Sequence, residues 1–211
     1  MRQNLIFNSL LNYSKKWGLL YNRYAATDAS GLAPTGWRVP TAIDMSTLVT
    51  FVGNPNTAGG KLKETGTIHW NNPNTGATDD YGFSVFGTGC RGSTGFFFGI
   101  GEYVYLMVQS GMAYRVFAYN SSTIELNVGN NNEGNNVRCL RDTDPGTLII
   151  TDYDGNNYDV LHLGNQYWLK QDLKTTHYND GTLIPNVTDT STWSTLTTGA
   201  FCAYNNDLSN I

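Results

Sequence analysis

Asp152-Tyr-Asp-Gly-Asn-Asn-Tyr158 and Leu163-Gly-Asn-Gln-Tyr-Trp-Leu-Lys-Gln-Asp-Leu-Lys174 carry two turn signals in one short span. Asp154-Gly155-Asn156 favours a tight reversal, because Gly takes positive φ freely while Asp and Asn bond their own backbone. Gly164-Asn165 is the second signal, and residues 158–163 and 166–169 flank it as a hairpin. Residues 173–178 continue as a further strand or an irregular segment. Residues 186–198 form a Thr-rich loop that Trp193 anchors.

The same punctuation runs through the residues upstream. Short apolar runs bounded by Gly and Asn lie at 81–86, 103–109, 112–119, 123–128 and 136–140, which predicts an antiparallel sheet with short hairpins. Residues 40–52 predict a helix. Thr41 is its N-cap, Ile43, Leu48, Phe51 and Val52 recur at helical spacing, and Gly53 and Pro55 end it. Lys61 to Glu64 predicts another helical turn. A short helix from Ser9 turns into a strand over 18–24, and residues 28–35 form a loop. Residues 66–82 are mostly Asn, Thr, Gly and Asp and form a long surface loop. The class is α+β, with short antiparallel strands, one or two short helices and long loops.

Composition narrows the function. Charged residues make up 14% of the chain against 23 Gly, 13 Tyr and 5 Trp, which excludes a coiled coil. A net charge of −4 without a basic stripe argues against nucleic acid, whose binding depends on clustered Lys and Arg. No run approaches the ~20 apolar residues of a membrane helix, so no membrane insertion is expected. Met1 to Asn12 does not read as a signal peptide. Cys90, Cys139 and Cys202 are too far apart in sequence for a metal knuckle, and geometry decides whether any two form a disulfide.

Several blocks together resemble one unit of the Fibrobacter succinogenes major paralogous domain family. They are Trp17-Gly-Leu-Leu-Tyr-Asn22, Pro34-Thr-Gly-Trp-Arg-Val-Pro40, Val137-Arg-Cys-Leu-Arg-Asp142, the Asp152 and Leu163 stretches, Tyr178-Asn-Asp-Gly-Thr182 and Cys202-Ala-Tyr-Asn-Asn-Asp207. The resemblance implies a C-type-lectin-like fold and display at a bacterial surface, outside the cell, or on a virion. It also implies an order in which the Asp152 and Cys202 blocks come first. Here they come last, as in a circular permutant or a frame shifted between repeats. Residues 1–142 then carry the main body and 143–149 a linker, while 150–211 completes this domain or a neighbouring one. Trp17, Trp37, Trp70 and Trp168 match positions expected in the core. The family's Cys before Pro34 is Ala33 here, which removes the expected disulfide partner.

No catalytic set stands out. His69, His162 and His177 are scattered, and no nucleophile or zinc motif is present, so neither an enzyme nor a cofactor nor a metal is expected. Asp152-Tyr-Asp-Gly-Asn156 resembles the start of a calcium loop, but Leu161 stands where the pattern needs Glu, and a hairpin turn is the simpler reading. Asn72-Pro73-Asn74 lacks flanking carboxylates, although Asp79 and Asp80 follow. Gly59-Gly60 is not a phosphate loop, for no Ser or Thr follows Lys61.

Residues 101–136 keep the family's frame, including Gly101, Tyr103, Tyr105, Tyr119 and Gly134, while the residues between differ. The candidate ligand-binding residues are Glu102, Val104, Tyr105, Met107, Gln109, Tyr114, Arg115, Glu125, Asn127, Asn130, Asn132 and Asn135. Ordinary drift explains the differences, or else diversification by a retroelement that mutates template adenines and so converts Asn codons. A non-enzymatic module that binds a glycan or protein ligand is expected. The alternative is a fibre or decoration subunit that self-associates by strand exchange between protomers.

Overall fold

Asp152 accepts hydrogen bonds from the amides of Asp154 and Asn156 at 3.0 and 2.9 Å, and Gly155 takes φ +83°. This cap turns β8 (Ile149–Thr151) into β9 (Asn157–Leu163). Gly164-Asn165 then turns β9 into β10 (Gln166–Leu169). The first motif is thus a hairpin turn, with Asp152 occupied by its own backbone and by the Tyr158 hydroxyl at 2.7 Å. The predicted linker ends one residue early, because Ile149 already pairs with Asp159.

The computed structural model describes residues 17–211, so the predicted helix start at Ser9 lies outside them. Within them the chain is mixed α+β. The predicted strand over 18–24 shortens to β1 (Leu20–Tyr21), since the Asn22 side chain accepts from the Ala25 amide at 3.0 Å and starts α1 (Arg23–Ala26). The predicted helix forms as α2 (Ala42–Val52). Thr41 and Asp44 make a reciprocal capping box, and Arg38 holds the Asp44 carboxylate at 2.8 Å. The buried side of α2 is Met45, Leu48, Val49 and Val52, a spacing that keeps one stripe inside. Ile43 and Phe51 are exposed, contrary to expectation. Gly53 ends α2, but Pro55 begins the next helix, α3 (Pro55–Leu62), where its missing N–H costs no hydrogen bond. Gly59 and Gly60 let α3 approach two loops closely. A Cβ on Gly60 would lie 2.1 Å from the Gly76 carbonyl oxygen.

A five-stranded sheet follows. It comprises β2 (Thr88–Arg91), β3 (Phe97–Ile100), β4 (Tyr103–Met107), β5 (Ala113–Ala118) and β6 (Ile124–Val128), in the order β3-β2-β4-β5-β6. Its pairings are antiparallel except β2 with β4. The strands predicted at 103–109, 112–119 and 123–128 are β4, β5 and β6. The one predicted at 81–86 makes only a bridge at Val85, and the strand β2 lies beyond it.

Residues 17–142 and 150–207 interlock within one chain. β10 pairs with β7 (Leu140–Arg141) in a sheet ordered β7-β10-β9-β8, and β1 pairs with β11 (Phe201–Cys202). One core cluster joins Tyr21, Trp37 and Val137 to Tyr158, Leu169 and Phe201. Another joins Leu48, Trp70, Phe83 and Val104 to Trp168. Each such large side chain contributes ~1.5–3 kcal/mol when fully buried. Trp37, Trp70 and Trp168 are core residues as expected, while Trp17 is half-buried against Tyr204.

At the centre of this interlock, Arg138 Nε donates to Asp172 Oδ1 at 2.7 Å, with both side chains 1% exposed. The Arg138 guanidinium also donates to the Phe83 carbonyl and stacks over the Phe83 ring. Removing one partner of a buried pair strands the other charge. Arg138→Met is therefore expected to lose about 3–5 kcal/mol in urea unfolding. Arg138→Met combined with Asp172→Leu should recover most of that loss.

Candidate functional site

Strand register decides which side chains share a face, since opposed residues lie together and neighbours alternate. The rows Tyr105, Val116, Glu125 and Met107, Tyr114, Asn127 point to one face of the five-stranded sheet. The rows Val104, Phe117, Ile124 and Leu106, Arg115, Leu126 point to the other. That second face carries the core under α2 and α3.

The first face carries an aromatic row. Phe98 meets Tyr105 edge-on at 6.2 Å between ring centroids, and Tyr105 meets Tyr114 edge-on at 5.2 Å. Tyr103 lies 6.0 Å from Tyr105. Such geometries stabilise aromatic pairs by ~0.5–1.5 kcal/mol beyond burial. Glu125 and Asn127 are exposed on β6, at the end of the row. Glu133 closes one side, accepting from the Tyr114 hydroxyl. Burial pushes the Glu133 carboxyl above the usual carboxylate range, against the opposing bonds from Asn130 and Tyr114 and the charge of Arg23. Burial also pushes the Tyr114 hydroxyl up to about 12, helped by the Glu133 charge. Arg23 donates to the Val108 and Ala113 carbonyls, both at 2.8 Å, and so clasps the β4–β5 turn.

The predicted site residues do not form one surface. Tyr105, Glu125 and Asn127 line the aromatic face, while Gln109 and Asn130 are exposed in loops beside it and Glu102 is half-buried in the β3–β4 turn. Val104 is buried because it points into the core under α2. Met107 is on the aromatic side but is buried in the core cluster with Val137. Tyr114 is buried beneath Glu133. Asn135 is buried because its amide and carbonyl pair with Tyr21. Asn132 is structural: its Nδ2 donates to the Ser194 carbonyl at 2.8 Å, on α4 (Thr190–Ser194). Arg115 lies on the opposite face. Sequence reasoning missed Phe98, Tyr103 and Glu133. The alternation Tyr103-Val-Tyr105 already places both tyrosines on one side, and the Phe96-Phe-Phe98 run marks a strand.

The other candidate chemistry is accounted for by local structure. His69 pairs with Glu64 at 2.6 Å, His177 pairs with Asp154 at 2.5 Å, and His162 stacks on Tyr167. Asn74 donates to the Glu64 and Gly66 carbonyls, and Asp79 accepts from Ser84. Among the described residues, no three His, Cys, Asp or Glu side chains are placed to hold a metal ion, and no helix is long and apolar enough to cross a membrane. Cys90, Cys139 and Cys202 are free and buried, and burial pushes all three thiols up.

The family model of the Fibrobacter succinogenes major domain matches residues 2–141. The chain belongs to that family. No curated protein and no solved structure matches it. The matched span of the Fibrobacter succinogenes major domain contains the whole aromatic row and Glu133, and it stops short of the Asp152 block.

Because the folded state raises the Glu133 pKa, it holds that proton more tightly than the unfolded chain does. Stability should therefore fall as pH rises from the ordinary carboxyl value through the raised one, then level off. Glu133→Gln keeps an acceptor for Tyr114 and removes this dependence. Urea unfolding of both proteins from acidic to neutral pH should show the wild type losing ground to Glu133→Gln through that window.

Proposed function

We propose that the protein is a non-enzymatic ligand-binding module of a cell surface or virion, and that it holds a glycan or protein receptor on its aromatic sheet face. The row of Phe98, Tyr103 and Tyr105, leading to the exposed Glu125 and Asn127, carries this proposal. A sheet fixed from behind by its core leaves little ordering cost for association. Tyrosine offers wide contact for few rotatable bonds, while carboxylate and amide groups add adaptable hydrogen bonds.

A C-type-lectin-like arrangement is in keeping with the pairing of β1 with β11, the helices α2 and α3, and the long loop over 66–82. A repeat-shifted order is supported by a family match that ends at 141 while residues 150–207 supply further strands and core. Retroelement diversification would alter Tyr105, Glu125 and Asn127 freely but not Val104, Phe117 or Ile124, which pack the core. The rival, a fibre subunit, would exchange residues 150–207 between protomers through these same pairings.

Binding of the labelled protein should be measured against a glycan array and intact bacterial cells. Tyr105→Ala and Glu125→Lys should each weaken binding about tenfold or more, ~1.4 kcal/mol, with the Glu125→Lys midpoint close to wild type and Tyr105→Ala still folded but less stable for want of its ring contacts. Binding that survives both changes undiminished counts against this face.

A further inference from the structure

Arg115 is held by fewer bonds than most of the protein's inward cations. Arg91 donates to the Gly95, Val187 and Thr188 carbonyls. Lys63 donates to the Ala118 and Ser121 carbonyls. Arg38 and Arg138 hold carboxylates. Among the described residues Arg115 donates only to the Ser46 hydroxyl, at 3.2 Å, and its Nε, like those of Arg23 and Arg141, is buried without an acceptor. Among the described residues no carboxylate pairs with it.

The surroundings of Arg115 are apolar and open. It lines a groove of about 690 Å³ between α2 and the β6 side of the sheet, and also a smaller hollow of about 280 Å³ at the end of α2. Ile43 is 77% exposed, Leu126 55% and Phe51 45%, and all three line the groove. Scattered surface hydrophobics need no explanation, but three around one unpaired cation make a site with two chemical halves. Among the described residues no second cation lines the groove. A lone guanidinium matches one carboxylate, which it can hold through two parallel hydrogen bonds, better than a doubly charged phosphate.

We propose that this groove binds a small amphiphilic carboxylate, with its carboxylate on Arg115 and its aliphatic body along Ile43, Phe51 and Leu126. Burial already lowers the pKa of Arg115, so an incoming anion would relieve a desolvated charge. The groove lies on the opposite face of the sheet from the aromatic row, so this proposal stands apart from receptor binding.

Decanoate is the probe, followed by calorimetry on the full chain. One decanoate should bind per protein, and decanol, which lacks the charge, should bind at least tenfold more weakly. Arg115→Met should weaken decanoate at least tenfold, Arg115→Lys should lose part of the affinity, and Leu126→Asp should also weaken it. Tyr105→Ala, on the other face, should leave decanoate binding unchanged. Unfolding midpoints of the variants separate lost binding from lost folding. Equal affinity for decanoate and decanol would overturn the proposal, as would full binding by folded Arg115→Met and Arg115→Lys. So would failure of the wild type to saturate. Dimerisation abolished by Leu126→Asp would assign the groove to a second copy and overturn it as well.

Discussion

A buried charge must find its partner, and Arg138 finds Asp172 across the join between the two parts of the chain. The low dielectric makes that pairing obligatory: either charge alone in the core would cost several kcal/mol. Around it the backbone closes as a ladder. Leu169 donates to Cys139 at 2.9 Å, Leu173 to Val137 at 2.8 Å, and Leu19 to Leu173 at 2.8 Å. Among the described residues Arg138 Nη2 and Asp172 Oδ2 have no hydrogen-bond partner. The pair therefore fixes which segments meet more than it adds net stability.

The same logic reaches the candidate site. Arg91 is buried, stacks on Trp193 and draws the 187–188 carbonyls onto β2. Trp193 in turn donates to the Asn132 carbonyl, so α4 pins the loop that carries Glu133. The aromatic face lies wholly within the family-matched span, yet its rim is held by residues near 190. The geometry of that face thus depends on completion of the domain by the last third of the chain.

Local chemistry was readable from the sequence wherever it acts locally. Asp154-Gly155-Asn156 and Gly164-Asn165 turn as their residue types demand, and Thr41 caps α2. What could not be read was set by distant partners. Asn135 and Asn136 look like surface residues by composition, yet they are buried by pairing with Tyr21, Tyr105 and Met107. Strand β2 hides in a Gly-rich run, where Gly89 sits so close to the Phe98 carbonyl that no side chain would fit. Tyr114 and Met107 alternate correctly but are covered by segments far away in sequence, which periodicity does not report. Ile43 and Phe51 match a helical period but fall outside the stripe that Met45, Leu48 and Val52 define.

Native-state hydrogen exchange tests most directly whether the two parts form one cooperative unit. The amides of Leu19, Leu169 and Leu173 bridge the parts, whereas those of Leu106 and Phe117 lie inside the five-stranded sheet. A single domain completed in the chain predicts that all five open only with global unfolding, at one common free energy. If the bridging amides exchanged well before the sheet amides, residues 150–207 would be a separable appendage, and the central claim would fail.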